Sequence, residues 1–186
     1  MSNELNTIFE ISKMKASDII AQVQTDVSRA KDVYLFAKAL DKTPHPSWVR
    51  TNQFSNGARY IPIRAVEQLL RTYFGAYQTE MIGQPVIIGN SVVVSVHLKV
   101  YHPILKEWLT YAGTGAVPIE VAKGASPLDF DQINAKALHK NVPAAKSYAI
   151  SNAAKSIGKI FGSHLNSDDP MEVSAIYDKV AEYNEQ

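Results

Sequence analysis

Ser91 to Tyr101 reads SVVVSVHLKVY, and its alternation decides the fold. Val92, Val94, Val96, Leu98 and Val100 take every second position, with Ser91, Val93, Ser95, His97, Lys99 and Tyr101 between them. A strand turns successive side chains to opposite faces, so this spelling predicts one face in the core and one in water. Residues Tyr77 to Ile88 predict the preceding strand, turned at Gly89-Asn90, and Trp108 to Val117 the following one, joined through His102-Pro103 to Lys106. The sum is an antiparallel meander of three or more strands. Gly113 and Gly115 in its third strand mark a bulge, or a place where another backbone or a ligand comes close.

A sheet with one apolar face needs a cover. Asn141 to Asn166, NVPAAKSYAISNAAKSIGKIFGSHLN, predicts a long helix with Pro143 in its first turn and Gly162 as its stop. Ile150, Ala154, Ile157, Ile160 and Phe161 describe its core face, and Ala144, Ala145, Ala149, Ala153, Ser156 and Gly158 permit close approach to the sheet. Tyr148, Asn152, Lys155 and Lys159 follow at steps of four, three and four, a stripe that the core does not claim. The fold class is therefore α+β, a meander packed on a long basic helix with further helices flanking it.

Charge is sorted along this chain. Its 186 residues carry a formal net charge of only +1, yet between Gln132 and Ser167 there are five lysines (Lys136, Lys140, Lys146, Lys155, Lys159) and no acid. Lys42 to Val66 likewise holds Lys42, Arg50, Arg59 and Arg64 without an acid, whereas Ser167 to Gln186 has six acids against Lys179. A solvated face usually mixes signs, so a polyanion is the first partner to consider. In KTPHPSWVRTNQFSNGARY, from Lys42, the residues Trp48, Arg50, Phe54, Arg59 and Tyr60 fall within thirteen positions. Basic groups interleaved with rings suit a single nucleic-acid strand, the guanidinium meeting phosphate and the ring stacking on bases. Trp48 and Phe54 read rather as anchors of the loop, Arg50 and Tyr60 as ligand contacts.

Pro62 opens a short helix to Gly75, with Ile63, Val66, Leu69, Leu70 and Tyr73 on one face and Glu67 and Arg71 spaced for an ion pair. Leu5 to Val23 and Val27 to Leu40 predict two amphipathic helices, which cover the sheet or pack on a neighbouring subunit. Pro118 to Asp131 is a long loop with Lys123-Gly124 as its basic spot, and the segment after Pro170 predicts a short acidic helix. The organisation is an N-terminal helical segment (1–41), a core domain (42–166) and an acidic C-terminal helix (167–186).

Other chemistries lack their residues. Without cysteine there is no disulfide framework, thiolate metal site or cysteine nucleophile, and a reducing cytoplasm is the expected compartment. GxxxxGK[ST], HExxH and GxSxG are missing, and His45, His97, His102, His139 and His164 are scattered. No cofactor, no metal and no enzymatic activity are expected.

Three pieces in order carry a family likeness: Arg50 ten residues before Tyr60, leading into the helix that ends Tyr73-Phe74-Gly75; the meander Tyr77 to Val117; and the lysine-bearing helix closing with Phe161-Gly162. Over roughly Trp48 to Asn166 the chain resembles the single-strand annealing proteins of the Rad fifty-two superfamily, in particular their compact bacteriophage, Sak-like branch. The resemblance implies a curved sheet on the long helix, subunits side by side in a homo-oligomeric ring, and single-stranded DNA in a basic groove around it. Such a protein serves DNA recombination and repair by annealing strands without ATP. Arg50, Tyr60, Lys155 and Lys159 correspond to its backbone-contacting residues and Lys123 to a second, outer DNA site; Lys146 and Arg59 would widen the positive field. A phage exonuclease or a host single-strand-binding protein is a candidate further partner. Where eukaryotic members have a lysine-arginine pair this chain reads Lys155-Ser156, which implies a less basic groove. The acidic helix would dock on a neighbour or guard the groove when DNA is absent. Two rival readings are a duplex RNA or DNA binding module and a structural oligomer that binds no nucleic acid.

Overall fold

The computed structural model describes residues 16–53, 56–122, 124–126, 129–133 and 137–167 of an α+β chain with antiparallel sheets. The chain divides into two units, Met1–Ala37 and Lys38–Gln186. Helix α1 runs Ala16–Leu40 and leaves Ile20, Val23 and Val27 exposed. Two helices were expected here, but the described residues form one. Nothing between Val23 and Val27 breaks it: Gln22 Nε2 donates to Asp26 Oδ1 (3.1 Å), and Thr25 Oγ1 donates to the Ala21 carbonyl (2.9 Å). Leu5 to Phe9, Lys123 and the segment after Ser167 lie outside the described residues. Among those described, no helix is long and apolar enough to cross a membrane.

In the second unit a two-stranded ribbon, β1 (Arg50–Asn52) and β2 (Ala58–Tyr60), precedes α2 (Ile63–Phe74). Pro62 caps α2, and Gly75 ends it at φ 69°, where a side chain would be strained. Val66, Leu69, Leu70 and Phe74 are buried. Arg71 does not pair with Glu67: its Nη2 donates to the Tyr77 hydroxyl (3.3 Å), and its guanidinium lies 5.8 Å from the ring centroid of that tyrosine.

Four strands build the main sheet: β3 (Tyr77–Met81), β4 (Val86–Ile88), β5 (Ser91–His102) and β6 (Glu107–Pro118). β5 is central, paired along its length with β6 on one side and with β3 and then β4 on the other. Its burial alternates without exception, and Val92, Val94, Val96, Leu98 and Val100 are no more than 2% exposed. The expected single strand from Tyr77 to Ile88 is two. Gly83, at φ 73°, and Pro85, which has no N–H to donate, take the chain off the edge, although the Ile82 N–H still reaches the Ser95 carbonyl (2.8 Å). At the far end of β5 the buried His102 closes the hairpin, its Nδ1 accepting the N–H groups of Ile104 (3.3 Å) and Leu105 (3.1 Å).

Helix α3 (Ala137–Lys155) lies across β5 and β6. Of the alternatives for Gly113 and Gly115, the register of β6 is unbroken and the close approach is what occurs. A methyl at Gly113 would overlap the Ala149 carbonyl and come within 2.5 Å of Ala153 N; one at Gly115 would overlap the Ala145 carbonyl and come within 2.5 Å of Ala149 N. Ala145, Ala149 and Ala153 are fully buried in return. Two amides tie the helix to the strand: Asn141 Nδ2 donates to the Pro118 carbonyl (3.0 Å) and Asn152 Nδ2 to the Thr114 carbonyl (2.8 Å).

The long helix from Asn141 to Asn166 is corrected at both ends. It starts at Ala137, so Pro143 lies within it, and it stops at Lys155. Gly158 is extended and passes against Leu40, whose carbonyl oxygen would lie 2.6 Å from any Cβ there. A short 3-10 turn, Lys159–Phe161, follows, and the stop read at Gly162 ends that turn instead. It still contributes Ile160 and Phe161 to the core.

Gly113→Ala must displace helix backbone, whereas Thr110 lies exposed on the same strand. Urea unfolding should show a loss of about 1–3 kcal/mol or more for Gly113→Ala and a change within about 0.5 kcal/mol for Thr110→Ala.

Candidate nucleic-acid interface

The ten-residue interval between Arg50 and Tyr60 is a strand register. The two are direct partners across β1 and β2, with Thr51 opposite Arg59 and Asn52 opposite Ala58. Partners in an antiparallel pair share a face and chain neighbours take opposite ones, so Arg50 and Tyr60 stand together while Arg59 points the other way. Asn56 (φ 48°) and Gly57 (φ 75°) supply the left-handed residues of the turn. Tyr60 is 42% exposed. The Arg50 guanidinium is steadied by the backbone that precedes it, Nη1 donating to the carbonyls of Ser47 (2.8 Å) and Val49 (3.2 Å), while Nε and Nη2 carry its other donors. Trp48, read as a core anchor, is instead 39% exposed, its ring 6.2 Å from that of His45.

The side chain of Asn166 fastens this ribbon to the rest of the unit. The Asn166 amide accepts the Arg59 N–H at Oδ1 (2.7 Å) and donates through Nδ2 to the Arg59 carbonyl (2.8 Å), pairing with β2 as a further strand would. The ribbon is thereby joined to the chain that leaves α3. Between them lies an open cleft of about 380 Å³ lined by Asn56, Gly57, Ala58, Arg59, Leu165, Asn166 and Ser167.

Beside the cleft, basic groups converge on His164. Burial pushes its imidazole pKa down, and the charges of Lys159 and Arg59 push it further, against the pull of Asp41. Its Nδ1 is buried without a hydrogen-bond partner. Arg59 and Lys159, a hundred residues apart in the sequence, thus share one electrostatic neighbourhood.

The lysines of the predicted stripe do not stay together. Lys155, at the exposed end of α3, donates to Asn152 Oδ1 (3.2 Å), and Tyr148 is 52% exposed. Lys159 leaves the stripe with the end of the helix and turns inward to Asp41 (3.4 Å), the two side chains being 21% and 19% exposed. Lys140 is paired with Glu120 (2.8 Å) on the surface, and Lys146 is half-buried on α3. The acid-free stretch is therefore partly neutralised by carboxylates from elsewhere. Asp41, His164 and Asn166 were not read as site residues. Their roles follow from contacts across long stretches of chain, which no local pattern signals.

No protein-family model and no curated protein sequence matches this chain. Among the described residues no group of three or more His, Asp or Glu side chains is placed to hold a metal ion.

Burial also pushes the His102 imidazole down, against the pull of Glu107. Both histidines therefore bind a proton less readily folded than unfolded. Their contribution to stability is complete above the unfolded value of about 6.5 and is lost as the pH falls below it. Melting temperature should decline between about pH 7 and about pH 5, and less steeply in His164→Gln than in the parent protein.

Proposed function

We propose that this protein binds single-stranded DNA by its backbone and anneals complementary strands, as an oligomer and without nucleotide or metal. The observation that carries this reading is the Arg50–Tyr60 pair, a cation and a ring on one exposed face of a ribbon that Asn166 clamps to the turn following α3. A guanidinium beside a ring suits a strand whose phosphates are neutralised and whose sugars or bases find a stacking surface. Arg50 and Lys155 take phosphates in this scheme. Tyr60 orders the backbone, and Arg59 and Lys146 widen the field. Lys159 acts from behind, as a charge fixed by Asp41.

So few cations per subunit hold DNA weakly, and assembly side by side in a ring supplies the rest through avidity. The open β3/β4 edge supports assembly. Met81, Ile82, Val86, Ile87 and Ile88 are each at least 40% exposed there, and no charged residue intervenes from Met81 to Leu98. Among the described residues no strand pairs beyond β3 and β4, and an apolar strand edge left without a partner strand is a template for association.

Fluorescence anisotropy with labelled single-stranded and duplex oligonucleotides tests the reading. The single strand should win the competition in EDTA; preference for duplex would favour a duplex-binding module, and binding to neither would leave a purely structural oligomer. Lys155→Ala should weaken single-strand binding and lower the salt slope by about 0.7 per site, with no change in melting temperature. Lys159→Ala strands a half-buried carboxylate and should cost about 1–3 kcal/mol of stability, a loss that Asp41→Asn in the same chain should partly restore.

A further inference from the structure

Because α1 is one helix from Ala16 to Leu40, the apolar residues on both sides of Thr25 fall in a single register. Ile20, Val23, Val27, Ala30, Tyr34 and Ala37 follow at steps of three, four, three, four and three, the spacing of a coiled-coil seam. Gln22, Thr25, Ser28, Arg29 and Asp32 take the positions away from that seam. From Ile20 to Asp32 every residue is exposed, with Ile20, Val23 and Val27 at 58%, 55% and 65%. A helix in water draws most of its stability from burying an apolar face, and none of the described residues covers these three side chains.

We infer that a second copy of this chain covers the seam, α1 pairing with α1 of that copy in parallel and in register. Charge selects this occupant and this orientation. Asp26 and Lys31 flank the seam on opposite sides, five residues apart, and in a parallel pair that spacing sets each Asp26 carboxylate beside the partner's Lys31. An antiparallel pair sets like flanks together, so that Lys31 meets Gln24, Lys31 or Lys38 and gains no carboxylate. Gln22 Nε2 donates to Asp26 Oδ1 (3.1 Å) and steadies that carboxylate on its own helix. Branching at Ile20 and Val27, which share one seam position, favours two strands, and the small Ala30 and Ala37 at the other let the helices close. The contact needs nothing of the DNA reading and uses other residues than the β3/β4 edge.

The chain has no cysteine, so single cysteines placed in the full chain report the pairing directly. Under mild oxidation Ile20→Cys and Val27→Cys should each form a disulfide-linked dimer, because equivalent seam positions of a parallel pair lie within disulfide reach. Thr25→Cys, on the outer face, should link about tenfold more slowly or not at all. Lys31→Asp added to Val27→Cys should slow the linking, and Asp26→Lys in the same chain should restore it, both effects fading as salt is raised. All these positions are exposed on α1, so folding is not at stake. Absence of the dimer at positions 20 and 27 overturns the inference, as does linking at position 25 as fast as at 27, the result expected of copies held together elsewhere. A link at position 27 without one at 20 overturns the parallel register, and charge reversal that fails to restore linking overturns the contact between Asp26 and Lys31.

Discussion

The approach of α3 to β6 across two glycines is the constraint on which the rest of the second unit depends. With no side chain at Gly113 or Gly115, the helix backbone rests almost directly on the strand, and Ala145, Ala149 and Ala153 fill what space remains. Contact at this distance leaves little freedom to slide or rotate, because any methyl added on the strand meets backbone rather than a side chain that could move aside. Asn141 and Asn152 then satisfy carbonyls of β6. With its register set, α3 ends where Lys155 is exposed, and the turn beyond it delivers Asn166 to the ribbon.

That delivery converts a linear pattern of charge into a spatial one. Read along the chain, the basic stretch from Lys136 to Lys159 is uniform. Folded, it is graded: Lys140 meets Glu120, Lys159 is drawn in to Asp41, and Lys155 stays at the surface. A half-buried ion pair is costly to separate, since either partner left alone remains in poorly solvated surroundings. Lys159 therefore holds the chain after α3 in place, while Lys155 and Arg50 remain exposed at the surface. Arg59 does both, its backbone held by Asn166 and its side chain lining the cleft.

Much of the fold was legible. The alternation of β5 was read residue by residue, as were the turn at Gly89-Asn90, the end of α2 at Gly75 and the small residues of α3, because each follows from the period of an element or the φ a turn requires. The misreadings share a cause. Pro143 looked like a helix start and Gly162 like a helix stop, yet the first lies inside α3 and the second ends a separate turn. Both rules describe isolated helices, and here Asn141 buried against Pro118 and Gly158 pressed against Leu40 override them. Of the candidate site, the Arg50–Tyr60 pairing was visible as an interval, whereas the inward turn of Lys159 and the clamp by Asn166 were not.

By itself the sequence determined the class of fold, the buried face of β5, the close seat prepared for a helix at Gly113 and Gly115, and the separation of basic from acidic stretches. These are properties of neighbours in the chain, expressed through side-chain period, steric size and net local charge. Only the tertiary structure decided which cations are neutralised, which face of the ribbon Arg59 takes, and that Asn166 joins residues 107 positions apart. The physical reason is that an ion pair or an amide clamp depends on distances of a few ångströms between distant segments. Those distances are set when α3 settles on β6, and no local pattern encodes them.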